Sequence, residues 1–298
     1  MKYLIRISLL LLTVMLVGSA TAQDLFDALG KDTVRTNYTY ATFKTTRVVN
    51  GQSVENASKG TLLFLISHQF GPANSGAYNF FGLDQAITRL GFEYGLSNRL
   101  CIGVGRSSNG DKTFDGFVKY KLLRQSSGYR TMPVTLSLFS AMTINTLKWQ
   151  EPSRTNFYSS RLSYTYQMLI ARKFNNSLSL QLSPTVVHKN LVVGATDVND
   201  IYAMGFGGRF KLSERVTLNA EYFALMNQPK TANTVNNLSL GVDIETGGHV
   251  FQLHFTNSRL RFERGFITET TGKWSKGDIF FGFGISRAFT IVKHKNSN

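Results

Sequence analysis

Apolar and polar side chains alternate one for one along most of this chain. In the run Arg161 to Met168, Leu162, Tyr164, Tyr166 and Met168 fall on one face, and Arg161, Ser163, Thr165 and Gln167 on the other. A period of two is the period of a strand. The same pattern predicts strands near 60–70, 86–95, 99–107, 113–123, 132–147, 157–172, 177–189, 200–211, 215–226, 236–245, 248–257 and 277–292. That is about twelve, an even number, as bacterial single-chain barrels have.

The alternation assigns faces. Leu90, Phe92, Val118, Tyr120, Leu180, Leu182, Tyr202, Phe206, Leu240, Leu253, Phe255 and Phe283 are predicted to meet lipid. Arg89, Glu93, Asp115, Lys119, Lys121, Arg161, Gln167, Arg209, Glu221, Asp243 and His254 are predicted to line a lumen. A dry sandwich core is a poor place for so many charged alternates, and closing the sheet removes its unpaired edges.

The connections alternate in length. Those at 96–98, 174–176, 212–214 and 245–248 are short, while 71–85, 149–156, 191–199, 227–235 and 257–276 are longer. Outer-membrane barrels have short periplasmic turns and longer outer loops. Two connections fit poorly: 125–130 is long for a turn and 109–112 is short for an outer loop.

The N-terminus reads as a secretory leader. Lys2 and Arg6 precede an apolar stretch from Ile7 to Val17, and Ala20-Thr21-Ala22 suits cleavage. Residues 1–22 are expected to be the signal peptide and 23–58 a periplasmic arm or lumen plug, with Val48 to Ser53 as a turn. The barrel is expected over 59–292, followed by a polar tail at 293–298. No later stretch approaches the roughly 20 apolar residues of a membrane helix. Twenty-three Phe and 12 Tyr against only 5 Pro suit long strands. Cys101 is the only cysteine, so no intrachain disulfide forms. The formal charge of +15 falls to +13 on loss of Lys2 and Arg6. The basic residues are dispersed and no nucleic-acid motif is present, so outer-membrane lipid and small anionic solutes are the expected partners. A periplasmic or surface protein partner is also compatible.

Several stretches carry a resemblance. They are Ile66-Ser67-His68-Gln69-Phe70-Gly71, Phe81-Gly82-Leu83-Asp84, Val187-His188-Lys189-Asn190, and Gly247-Gly248-His249-Val250-Phe251-Gln252-Leu253. Gly265-Phe266-Ile267-Thr268-Glu269-Thr270-Thr271 and Gly282-Phe283-Gly284-Ile285-Ser286-Arg287 complete the set. Together they resemble a family of Bacteroidota outer-membrane barrels known as a domain of unknown function. The resemblance implies a barrel in the outer membrane and carries no catalytic residues. At Gly284 a polar residue is expected in relatives, and glycine there suits a crowded lumen wall.

Candidate chemistry is sparse. His68, His188 and Asn190 fall at outer strand ends and are rim candidates. His68 and His188 meeting across the mouth would give a metal pair, but metal ligation needs convergent ligands, and separate rim histidines are the expectation. His249 and His254 point to opposite faces. His188 with Asn190 is a fragment of a lipid hydrolase without its serine, so no catalytic residue, metal or cofactor is assigned. Gly205 to Gly208 is read as relief of crowding inside a barrel. The sequence thus predicts an all-β, single transmembrane antiparallel up-and-down barrel of about twelve strands in the bacterial outer membrane. Its expected role is a channel or binding barrel for small polar or anionic solutes. The alternatives are a structural or partner-binding barrel with a filled lumen in an envelope complex, and a barrel hydrolase.

Overall fold

In the computed structural model the described residues are 35–292, apart from 109–111, 150, 193, 195 and 228–232. The expected leader (1–22) and tail (293–298) lie outside them. Fourteen strands are present among the described residues: β1 (Thr36–Tyr38), β2 (Thr61–Pro72), β3 (Ala86–Gly95), β4 (Leu100–Ser107), β5 (Thr113–Leu123), β6 (Ser126–Gly128) and β7 (Thr135–Asn145), then β8 (Leu162–Lys173), β9 (Leu178–Lys189), β10 (Asp200–Lys211), β11 (Val216–Leu225), β12 (Asn237–Thr246), β13 (His249–Thr256) and β14 (Phe280–Thr290). One short α-helix, α1 (Glu263–Thr268), interrupts the last loop.

Twelve strands close into an antiparallel barrel in the order β2-β3-β4-β5-β7-β8-β9-β10-β11-β12-β13-β14. β14 pairs back onto β2, with Phe283 opposite His68 and Thr290 opposite Thr61. Every backbone edge is thereby paired, which a wall in lipid requires. β1 and β6 form a separate two-stranded sheet. The connection 125–130 is long because it contains β6.

The strand bounds depart from the pattern at three places. Pro133 has no N–H for the ladder, and β7 starts at Thr135. Tyr158–Arg161 form a 3-10 turn, which delays β8 to Leu162. The left-handed Gly277 closes another such turn before β14.

The faces follow the alternation. In β8, Ser163, Thr165 and Gln167 are buried inside, whereas Tyr166 and Met168 are 51% and 42% exposed on the outer wall. The inner wall would be wet in an open tube of this size. Here it is dry: Lys119, Ser137 and Thr217 are 0% exposed and Glu93 is 2% exposed. Two parts of the chain fill the space, residues 42–57 and the loop 257–272, where Phe43, Val48, Val49, Val54, Phe262, Phe266 and Ile267 are all buried.

Candidate functional site

The lumen segment is a tight hairpin. The Val48 N–H donates to the Gly51 carbonyl at 2.8 Å, and Arg47 bridges to Gln52. Asn50-Gly51 at its tip is a turn dipeptide, so the turn expected at 48–53 is the hairpin end. The wall receives it with side chains that satisfy its backbone. The Glu221 carboxylate accepts the N–H groups of Val49 (3.2 Å), Asn50 (3.3 Å) and Gly51 (2.8 Å). Lys119 Nζ donates to Gln52 Oε1 (3.0 Å) and to the carbonyls of Ser53 (3.1 Å) and Glu55 (2.6 Å). Gln181 accepts from the Val54 N–H at 3.0 Å and donates to the Gln52 carbonyl at 2.8 Å. Arg209 donates to the carbonyls of Ala41 and Thr42, and Gln252 to that of Val48. At the end of the short turns, Lys44 pairs with Glu245 and Lys121 with Glu55.

The loop enters from the opposite end and meets the hairpin tip. Gln52 Nε2 donates to Glu263 at 3.0 Å, and Arg47 lies 3.1 Å from Glu93 and 3.8 Å from Glu263. Arg261 donates to the Asn50 side chain and, at 2.9 Å, contacts His254 Nε2, which also lies 2.9 Å from Gln69. Phe262, Phe266 and the adjacent Ile267 form the apolar face of α1 and its cap. Phe266 packs edge-on against Phe223 at 5.3 Å. A second apolar cluster joins Phe43, Val48, Val49, Val54 and Ala57 to Cys101, Phe117, Phe139 and Leu169.

Of the eleven residues expected to line a lumen, ten lie on the inner face of the wall. Arg89 and Asp115 form a buried two-point ion pair, with Nε to Oδ1 at 2.9 Å. Asp243 accepts from Gln252 at 2.9 Å, and Gln167 donates to Thr185 at 3.0 Å. Arg161 does not line the lumen. It ends the 3-10 turn ahead of β8, donates to the carbonyls of Asn145 (2.7 Å) and Leu147 (2.6 Å), and stacks on Trp149 at 3.8 Å. The alternation extrapolated one residue past the true strand start.

The two rim histidines stand apart, each with its own partner. His68 lies on the outer wall of β2, stacked on Phe283 at 5.2 Å. His188 lies on the outer wall of β9, 2.7 Å from Asp200. Six strand steps separate β2 from β9, so the pair cannot meet across the mouth. Among the described residues no group of three or more His, Cys, Asp or Glu side chains could hold a metal. Asn190 donates to the Ser159 carbonyl at 2.8 Å. Gly284 is not crowded: a Cβ built there would come no closer than 3.7 Å to a neighbour. Gly205 and Gly207 fit the crowding expectation, since a Cβ at either would press on Phe223 or Val48.

Arg47, Arg261 and Glu263 were not singled out by the alternation because they lie outside strands. Arg261 and Glu263 have one signal, composition: Arg261-Phe262-Glu263-Arg264-Gly265-Phe266-Ile267 mixes charge and large apolar groups, unlike a solvated loop.

The fold has known counterparts. A NanC porin structure matches with a TM-score of 0.51 at 9% identity, over 76% of this chain and 98% of that one. A KdgM porin gives 0.46 at 9% identity, over 77% and 99%. The COG4313 outer membrane channel from Pseudomonas putida F1 gives 0.49 at 14% identity, over 79% and 98%. At such identities the likeness concerns the fold alone. No curated protein matches the sequence. The family described as a membrane bound beta barrel domain matches residues 43–289, spanning all twelve barrel strands up to the penultimate residue of β14. The chain belongs to that family, DUF5777.

Proposed function

We propose that this protein is an outer-membrane conduit for small polar solutes that rests shut, with residues 42–57 as a cork and the loop 257–272 as a cap. The observation that carries this reading is the hydrophilic wall beneath the cork. Ser137 and Thr217 point inward, buried, with hydroxyls that have no hydrogen-bond partner. A wall built only to hold a permanent core would be apolar at these positions. Serine and threonine suit a surface that water covers once the cork leaves. Inward cations on the wall (Arg89, Lys119, Lys121, Lys173, Lys189, Arg209 and Lys211) outnumber inward anions (Glu93, Asp115, Glu221, Asp243 and Glu245). That balance favours neutral and anionic solutes, since charged linings set pore preference.

The second reading is a permanently filled barrel that serves a partner. The apolar contacts of Phe266 and Ile267 with Val187, Ile201 and Phe223 favour it. Vesicles loaded with small sugars and sugar acids separate the two. Slow efflux through the native protein, accelerated by removal of residues 42–57 from a barrel that still folds, is expected for a conduit. Equal impermeability of both proteins would remove it.

A further inference from the structure

We propose that the joint between hairpin, loop and wall is a binding site for one small inorganic anion of halide size. A cavity of about 30 Å³ remains there, lined by Arg47 of the hairpin, Arg89 of the wall and Arg261 of the loop. The amides of Asn50 and Gln252 and the hydroxyls of Thr45, Ser67 and Ser286 complete the polar lining, and no carboxylate belongs to it. Arg89 has Asp115, and Arg47 has Glu93 and, more loosely, Glu263. Arg261 has no carboxylate within 4 Å among the described residues. It is 8% exposed, and its Nε has no hydrogen-bond partner. Arg47 Nη1 is likewise without one. A buried guanidinium without a close counter-charge is costly; Arg261 is one, and it shares the space with the unpartnered Arg47 Nη1, which favours an anion there.

The size selects the ligand. A water needs at least about 10–15 Å³ of such space, so about 30 Å³ suits one small ion. Gly284 forms part of its floor, with room for a Cβ. Because the three arginines come from three separate parts of the chain, the anion ties cork, cap and wall together. Binding only to the closed arrangement stabilises it by mass action. The site is independent of whether solutes pass.

Bromide in place of chloride, read by anomalous diffraction from wild-type crystals, tests it directly. A peak among Arg47, Arg89 and Arg261 is expected. Density at exposed sites only, or none, overturns the proposal. In solution, alkylation of buried Cys101 reports cork departure. Replacing sodium chloride by sodium gluconate at equal ionic strength is expected to speed labelling about ten-fold in the wild type, as for an ion present at about nine times its Kd. Gly284→Val, which fills the cavity, is expected to abolish that anion dependence. Equal dependence in both proteins would refute the site.

Discussion

Glu221→Gln gives the most quantitative test of how the cork is held. The carboxylate is 3% exposed and accepts three backbone N–H groups from the hairpin tip. Val49 and Gly51 share Oε2, and Asn50 uses Oε1. Glutamine turns one of these oxygens into a donor, so one or two bonds are lost and an NH₂ faces an N–H. Hydrogen bonds to a charged group are worth about 1.5–3 kcal/mol each. Burying a neutral amide instead of a charge returns part of that. The net loss is about 2–3 kcal/mol, or a roughly 30- to 150-fold rise in the population with the hairpin displaced. Cys101 is the natural reporter. It is 0% exposed and packs in the cluster that contains Val54 and Ala57. Its maleimide labelling rate in detergent or vesicles is expected to rise by that factor, with the barrel intact by heat-dependent gel mobility. An unchanged rate in a folded Glu221→Gln protein would refute the reasoning.

Lys119→Met removes the donor for Gln52 Oε1 and two hairpin carbonyls and leaves them buried; it is expected to lower stability by about 2–4 kcal/mol and to speed Cys101 labelling, measured by urea unfolding and alkylation. Leu240→Arg on the outer wall is expected to cost about 2–4 kcal/mol in folding into vesicles. Leu96→Arg, in a short connection, is expected to cost less than about 1 kcal/mol, and similar costs at both positions would contradict the depth assignment. Arg161→Ala cuts two rim hydrogen bonds and a stack on Trp149 but touches no lumen group; Cys101 labelling should stay at the wild-type rate.

The wall was legible in the sequence because strand alternation is a local signal. Leu180, Gln181 and Leu182 declare opposite faces from their own order, and the ladder then carries that order around the barrel. The filling was not legible in the same way. Phe43, Val48 and Val54 show no period, since a hairpin inside a tube is surrounded and has no solvent face. The loop at 257–272 read as exterior because loops usually run over a surface. Only the neighbouring wall explains why Phe266 and Ile267 are buried there. Arg161 shows the limit from the other side: its pattern continued the strand, and a 3-10 turn ended it. His68 and His188 stand at outer strand ends and face outward, because in β2 and β9 they share parity with Ile66 and Val186.

The central claim, that residues 42–57 close the barrel and move to open it, is tested most directly by a reversible tether. A Cβ at Gly207 would lie 3.3 Å from a Val48 methyl, close to disulfide geometry. Val48→Cys with Gly207→Cys, in a Cys101→Ser background, can be recorded in one planar bilayer under oxidising and then reducing conditions. With Glu221→Gln added to raise the open population, the account predicts silence while the tether is oxidised and discrete openings after reduction. Openings of equal size and frequency in both states would contradict it.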